Sequence, residues 1–210
     1  MTVEKVSRVN LGLMDRHLGK MKLDKMGVPV MAKSRFIPED LLAFNACLTS
    51  RRRNRTVHFF IEDYRFERIW PNVDRYGKVL AKYQGAFSPD FSMYGDMPYP
   101  FQVWNLFRNR FCGAYWQTLG IEVVPTVAWA DESTFEWCFS GLVKGTNVAV
   151  STIGVLNEDD YLNGFEAGFR AMVEIVKPRT ILVYGRKYPG ELPGKIRYYP
   201  YSFDNNHRRT

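Results

Sequence analysis

The chain has few cysteines and few histidines, and their number and spacing exclude several kinds of site. Among 210 residues there are only three of each. No two cysteines have CxxC spacing, and an odd number of cysteines fits a reducing compartment in which thiols stay free. The three histidines are scattered, so the sequence offers no histidine-rich metal site.

The common nucleotide-binding and hydrolase motifs are also absent. There is no GxGxxG, GxxxxGK[ST], HExxH or GxSxG, which argues against common dinucleotide oxidoreductases, P-loop NTPases, zinc proteases and α/β-hydrolases. The chain has no apolar run of about 18 residues and no secretory leader pattern, so we expect a cytoplasmic protein without a membrane span. A hydrophobic content of 46% is sufficient for the core of one domain.

The net charge of +7 is confined to the first quarter of the chain. Residues 1–55 contain 12 Lys or Arg and 5 Asp or Glu, whereas residues 56–210 contain 17 of each kind. A basic segment on a neutral body is typical of contact with phosphate groups, most simply those of nucleic acid. A solvated, solubilising segment would carry the same charge.

Four arginines lie within five residues of this basic quarter, after a helix predicted over 38–48. They are Arg51, Arg52, Arg53 and Arg55. Guanidinium groups at this spacing can contact successive phosphates, so these residues are the predicted nucleic-acid-binding set. The alternative is a basic helix C-terminus whose side chains interact with the last carbonyl groups of the helix.

Strands that alternate with helices predict an α/β fold. The predicted strands are 56–61, 85–88, 121–128, 147–153, 180–184 and 195–201. The other predicted helices are 66–83, which Pro71 interrupts, 100–119, 133–139 and 159–176. Because most of the strands are continuous apolar runs, we expect a mostly parallel sheet of about six strands with flanking helices, forming an open sheet or a partial barrel.

The predicted organisation has three parts. They are a basic N-terminal arm over 1–35, a single α/β domain over 36–203 and a polar tail over 204–210.

Polar residues follow several of the predicted strands. Ligands of parallel α/β sheets bind beyond the carboxyl ends of the strands, which meet at one edge. Asp63, Asp90 and Asp131 each follow a strand and could converge on a divalent cation or act in acid–base catalysis. They could equally be the cap and turn residues that aspartate supplies in most proteins.

Two further residues complete the candidate catalytic set. Ser151 lies near the end of a predicted strand, and Arg108 lies on the long helix predicted over 100–119. Arg108 could form an internal ion pair near the Asp90 loop or hold an anionic substrate. The candidate ligand-binding residues are Ser92, Asp96, Trp129 and Tyr184. A divalent cation is the only cofactor to which this set points.

Three strings of the sequence are specific: PDFS, GAYWQ and VSTIGV. Within residues 36–185 they make the chain resemble a bacterial and phage family, the domain of unknown function four-four-one-seven. Members of that family occur in phages, plasmids and integrative elements. The resemblance implies a mobile-element role near replication, transfer or host conflict, and it assigns no catalytic residue.

The sequence therefore supports two alternative functions. The first is association with nucleic acid through the basic N-terminal region. The second is an enzyme, namely a metal-dependent hydrolase or a nuclease-like protein, or else a small-ligand binder, with a carboxylate and arginine pocket at the strand ends. A protein that binds a protein partner leaves no signature in the sequence.

Overall fold

Seven short strands form the framework of the molecule in a computed structural model, which describes residues 17–155 and 159–201. The strands are β1 (Leu41–Ala43), β2 (Thr56–His58), β3 (Gly85–Phe87), β4 (Val123–Val124), β5 (Val148–Ser151), β6 (Ile181–Tyr184) and β7 (Ile196–Tyr199). All their pairings are parallel, in the orders β1-β2-β3-β4 and β5-β6-β7. The predicted parallel α/β fold is thus confirmed.

Four α-helices flank these strands in the described part of the chain. They are α1 (Phe44–Cys47), α2 (Val73–Leu80), α3 (Tyr99–Thr118) and α4 (Asp159–Val176). Three 3-10 helices supplement them: Asp63–Arg65, Glu67–Asn72 and Glu132–Thr134. The long helices α3 and α4 match their predicted positions because each has an extended apolar repeat.

The two sheets meet at one point, where Pro125 interrupts the fourth strand. Proline has no N–H group for a ladder hydrogen bond, so β4 ends at Val124. Pairing resumes with the next sheet, where Val127 N donates to the Ala149 carbonyl oxygen (2.9 Å) and Ala149 N donates to the Pro125 carbonyl oxygen (2.8 Å). The seven strands therefore follow one another in sequence order around the molecule.

A buried arginine holds this junction between the sheets. The Arg110 guanidinium donates to the carbonyl oxygens of Thr126 (2.8 Å), Ser140 (2.9 Å) and Cys138 (3.2 Å). Its side chain is fully buried, and burial lowers its pKa to about 10. Thr126 N also donates to Ser88 Oγ (2.8 Å), which ties the junction to β3.

The strands curl into a partial barrel, the second of the two predicted forms. Tyr184 at the end of β6 packs against His58 of β2 and against Phe60, with ring centroids 4.3 and 5.6 Å apart. Tyr199 of β7 donates its hydroxyl to the Pro38 carbonyl oxygen (2.6 Å), next to β1. Contacts between strands so far apart in the sheet order require a curled sheet. Its interior includes a cluster of apolar residues: Leu41, Phe60, Phe87, Val124, Ala149, Leu182, Tyr184 and Tyr199.

The helix predicted over 38–48 is wrong in its first half, which adds a seventh strand to the expected six. Residues Leu41–Ala43 form β1, and only Phe44–Cys47 is helical. All three residues of β1 are buried and pair with β2, so backbone pairing overrides the helix-start signal of Pro38 and the two acidic residues after it.

Two other predicted helices are shorter than expected. Within 66–83 the predicted interruption at Pro71 is present: the segment around it is the 3-10 helix Glu67–Asn72, and α2 begins only at Val73. Within 133–139, the regular structure is the 3-10 helix Glu132–Thr134. Proline cannot donate the hydrogen bond that a continuous α-helix through 66–83 would need.

Residues 17–35, the described part of the predicted arm, pack on the body. Val28 and Met31 are buried, and Ala32 exchanges two backbone hydrogen bonds with the Gln117 side chain (2.7 and 3.0 Å). Residues 1–16 of the predicted arm and the predicted tail over 204–210 lie outside the described residues. The boundaries of the arm and the domain stay predictions.

Candidate functional site

Because all strands are parallel, the segments that lead into them lie at one end of the barrel and the segments that leave them lie at the other, and the two ends differ in charge. We define the basic end as the segments that lead into the strands: 33–40, 51–55, 81–84, 119–122, 144–147, 177–180 and 192–195. They contain 11 Lys or Arg and 3 Asp or Glu. We define the acidic end as the segments that leave the strands: 59–68, 88–98, 125–136, 152–155 and 185–188. They contain 4 Lys or Arg and 8 Asp or Glu.

Asp63 and Asp90, two of the predicted carboxylates, both lie at the acidic end, and Ser92 fixes the first of them. Ser92 donates to Asp63 twice, from its backbone N–H to Oδ2 (3.0 Å) and from its hydroxyl to Oδ1 (2.8 Å). Burial raises the pKa of Asp63, while the bonds from Ser92 and the charge of Arg108 oppose that rise. Asp63 is therefore held in a fixed orientation by a residue that was itself predicted to bind ligand.

Of these two carboxyl groups, Asp90 has the more strongly raised pKa. It is partly buried, and burial together with the neighbouring Asp63 raises its pKa to about 8. Within the described part of the chain, no hydrogen bond to the Asp90 carboxyl group opposes that rise. At neutral pH this carboxyl group is therefore largely protonated and can donate a proton.

Arg108 forms an internal ion pair, the first of its two predicted roles, although its partner is Glu67. It also donates to Asn105 Oδ1 (2.5 Å), and its guanidinium lies 3.8 Å from the centroid of the Phe91 ring. Asn105 in turn donates to the Ser92 carbonyl oxygen (2.6 Å). The network thus runs from the exposed Glu67 through a buried arginine to the loop that holds Asp63.

Asp131 does not complete a metal site with this pair. Its Oδ1 accepts hydrogen bonds from the Ser133 backbone N–H (2.9 Å) and hydroxyl (2.6 Å), so it caps the 3-10 helix that follows. No three His, Cys, Asp or Glu residues lie close enough to hold a metal ion in residues 17–155 and 159–201. A divalent cation at Asp63 and Asp90 would take its other ligands from water or substrate.

The remaining predicted site residues occupy separate positions. Ser151 Oγ accepts a hydrogen bond from Ile153 N (3.1 Å), and Trp129 Nε1 donates to the carbonyl oxygen of Gly164 in α4 (3.2 Å). Tyr184 is buried inside the barrel, whereas Asp96 is exposed on the loop after β3. The contacts of Ser151 and Trp129 are structural; the catalytic role of Ser151 and the ligand-binding roles of Ser92, Asp96, Trp129 and Tyr184 stay predictions.

Sequence reasoning missed, as a group, the exposed aromatic side chains at the acidic end and in the adjoining first two turns of α3. They are 36% to 74% exposed: Tyr64, Tyr94, Tyr99, Phe101 and Trp104. One apolar stripe along α3 is predicted by the spacing of Trp104, Phe107, Phe111 and Tyr115. Phe111 and Tyr115 are buried as expected, but Trp104 is not. A count of aromatic residues per segment could have found this group.

The four predicted nucleic-acid-binding arginines divide into two pairs at the basic end. Arg51, Arg52 and Arg53 are exposed, whereas Arg55 is half-buried, so the pairs differ in their contacts and not in exposure alone. Arg53 donates to the carbonyl oxygen of Cys47, the last residue of α1 (3.4 Å), and Arg55 pairs with Asp40 (2.6 Å). The helix-terminus alternative therefore describes Arg53, and Arg51 and Arg52 are the exposed arginines without such a side-chain contact among the described residues.

A shallow cleft also lies at the basic end. Its volume is about 560 Å³, and it is lined by Lys33, Arg35, Phe36 and Glu122. Lys33 and Arg35 are exposed. The cleft therefore adds two cations to the same end of the barrel as Arg51 and Arg52.

The comparisons with known proteins connect the chain to phages. It is 36% identical over 191 residues to the "Gene 1 protein" of Mycobacterium phage D29, covering 87% of this chain and 70% of that protein. It is 35% identical over 187 residues to the "Gene 1 protein" of Mycobacterium phage L5, covering 86% of this chain and 81% of that protein. No solved structure matches the chain.

Two further findings bear on classification. No helix among the described residues is both long enough and apolar enough to cross a membrane. Residues 21–197 match the family model described as Domain of unknown function (DUF4417), and that match takes in both ends of the barrel and every strand but the last two residues of β7. The chain therefore belongs to the family whose resemblance its sequence strings indicate, the Domain of unknown function (DUF4417) family.

Proposed function

We propose that this protein binds the phosphate backbone of nucleic acid through the basic end of its barrel. The observation that carries the proposal is the excess of 11 basic over 3 acidic residues in the segments that lead into the strands. Phosphate contacts from Lys and Arg supply most of sequence-independent binding to nucleic acid. A role in a mobile genetic element is part of the same proposal, and the phage relatives support it.

Arg51 and Arg52 are the strongest candidates for these contacts. Both are exposed, and neither side chain forms an ion pair with another described residue. An unpaired exposed guanidinium can bind phosphate in two-point geometry without first losing an internal partner. Arg53 and Arg55 already have protein partners, so we expect them to contribute less.

The test is the salt dependence of binding to a labelled duplex and to a labelled single strand of the same sequence. For the duplex, each phosphate contact adds about 0.9 to the magnitude of the slope of log K against log salt, so Arg51→Gln/Arg52→Gln should reduce it by up to about 1.8. The matched control is Arg186→Gln/Lys187→Gln, which removes the same charge from exposed residues at the acidic end. Binding that is indifferent to salt, or equal losses in both variants, would contradict the proposal.

The alternative is an enzyme whose site is the pair Asp63 and Asp90. The observation that favours it is a carboxylate fixed by two hydrogen bonds from Ser92 beside a carboxyl group whose pKa is about 8. Two neighbouring carboxyl groups with different protonation can serve as base and acid. A hydrolytic or nuclease-like reaction, with a divalent cation bound by the pair and by substrate oxygens, is its most concrete form.

This alternative is tested by incubating the protein with nucleic acid in the presence of Mg²⁺ or Mn²⁺. We expect cleavage that is lost in Asp63→Asn and Asp90→Asn while nucleic-acid binding is retained, because the pair lies at the opposite end from Arg51 and Arg52. Glu136→Gln, an exposed acidic residue at the same end, is the control. Absence of cleavage, or equal cleavage in all variants, would remove the enzymatic form for these substrates.

A further inference from the structure

The acidic end combines its negative charge with an unusual exposure of aromatic rings. The five residues Tyr64, Tyr94, Tyr99, Phe101 and Trp104 are the only Phe, Tyr or Trp side chains exposed by 36% or more within the described part of the chain. All five lie in the segments after β2 and β3 or in the first two turns of α3. Exposed apolar side chains concentrated in one region mark an interaction surface.

Hydrogen bonds join the three segments that carry these rings. The Asp63–Ser92 bonds connect the segment after β2 to the loop after β3. Gln102 in α3 donates to the carbonyl oxygens of Tyr94 and Met97 in that loop, both at 2.9 Å. The surface is therefore preformed, which lowers the entropy cost of binding a partner.

Two of the rings are also supported by packing at their backs. Trp104 packs edge-on against Trp70, with ring centroids 5.1 Å apart, and is stacked with Phe107 at 5.8 Å. Tyr99 packs edge-on against Trp137 at 5.5 Å. The remaining ring surface of each side chain stays open to solvent, so these rings can form a contact without rearranging.

The charge around the aromatic rings indicates which kind of partner this surface can bind. The segments of the acidic end carry 8 Asp or Glu and 4 Lys or Arg, and they stay net negative at neutral pH even with Asp90 largely protonated. One of those cations, Arg65, is already paired with Glu62 (2.7 Å). Such a surface repels phosphate, whereas Lys and Arg side chains bind carboxylates and also stack on the faces of Trp and Tyr.

We propose that the acidic end is a docking surface for a Lys- and Arg-rich segment of a partner protein. Trp104, Phe101 and Tyr94 contact the aliphatic stems and cationic groups of that segment. The surrounding carboxylates, such as Asp96 and Glu132, supply the long-range attraction. This interaction is independent of nucleic-acid binding, because the basic end lies at the opposite end of the same strands.

The test uses a labelled peptide of alternating Arg and Ala and the corresponding peptide of alternating Glu and Ala, with binding followed by anisotropy. We expect the basic peptide alone to bind, and Phe101→Ala and Trp104→Ala each to weaken it about tenfold. The matched control is Ile175→Ala on α4, an apolar side chain that is 43% exposed. Nucleic-acid binding, measured in parallel, should be the same in all of these variants.

Three results would overturn the proposal. They are binding of the acidic peptide equal to that of the basic one, no loss in Phe101→Ala, and association of the protein with itself, through its own basic end, in place of peptide binding. Phe101 is 60% exposed, so its variant should fold normally even if Trp104→Ala disturbs the packing of Trp70. Sedimentation at several protein concentrations distinguishes self-association from peptide binding.

Discussion

The two ends of the barrel carry opposite charge, and they also differ in how that charge is held. At the acidic end, Asp63, Asn105 and Arg108 belong to one hydrogen-bonded network with Ser92 and Glu67. At the basic end, Arg51 and Arg52 face solvent without such partners among the described residues. The first arrangement fixes side-chain positions, whereas the second provides charge that is free to adapt to a flexible polyanion.

The largest expected effect comes from Arg108, the buried arginine of α3 whose side chain pairs with Glu67 of the acidic end. Arg108→Met should lower the free energy of unfolding by about 2–4 kcal/mol, because it leaves Asn105 Oδ1 without its donor and Glu67 without its partner. Urea unfolding at neutral pH measures the change. Arg186→Met, an exposed residue at the same end, is the control, and an equal loss in both variants would show that the network does not stabilise this end.

A smaller effect, opposite in sign, is expected at Asp90. Its pKa in the folded protein, about 8, is above the value near 3.9 of an unfolded chain, so the folded state binds the proton more tightly between these values. Stability contributed by the neutral form is present below about pH 4 and is lost as the pH rises through 8. Asp90→Asn should therefore raise stability by roughly 1–3 kcal/mol at pH 9 and by almost nothing at pH 4.

Thermal unfolding at the two pH values measures this difference. Asp96→Asn removes an exposed carboxylate from the same loop and serves as the control. If Asp90→Asn changes stability equally at both pH values, the Asp90 carboxyl group does not titrate as its burial beside Asp63 requires.

The smallest effect is expected at the ion pair of the basic end. The Arg55 side chain is 18% exposed and that of Asp40 is 54% exposed, so water screens the attraction between them. Arg55→Met should cost no more than about 1 kcal/mol. Urea unfolding in low and high salt measures this cost. A loss of unfolding free energy as large as that of Arg108→Met would show that charge at the basic end is held as firmly as charge at the acidic end.

Periodicity and strand content predicted the parallel fold and the positions of α3 and α4, because those features are local. β1 was missed because a three-residue strand is too short for a pattern, and Pro38 with Glu39 and Asp40 imitates a helix start. The partner of Arg108 was also missed, because Glu67 lies in a 3-10 helix where an α-helix was predicted.

The sorting of charge by end could not be read along the chain. Counting charges along the sequence places the excess of Lys and Arg in residues 1–55. In the structure, basic and acidic segments alternate along the sequence, and only the fold separates them into two ends. Exposure of Trp104 was missed for a related reason. Helical spacing identifies a face, but it does not say how far the neighbouring elements extend along that face.

The junction at Pro125 has a consequence for how this barrel tolerates change. Pro125 cannot donate a hydrogen bond to the neighbouring strand. Side chains bind the backbone of Thr126 instead: Arg110 donates to its carbonyl oxygen, and Ser88 Oγ accepts from its N–H. Asn109 links the two, since its Oδ1 accepts from both (2.7 and 2.8 Å). Besides the two backbone hydrogen bonds between Val127, Ala149 and Pro125, the connection between the halves thus depends on the identity of three side chains, so even a conservative exchange such as lysine for the arginine removes part of it.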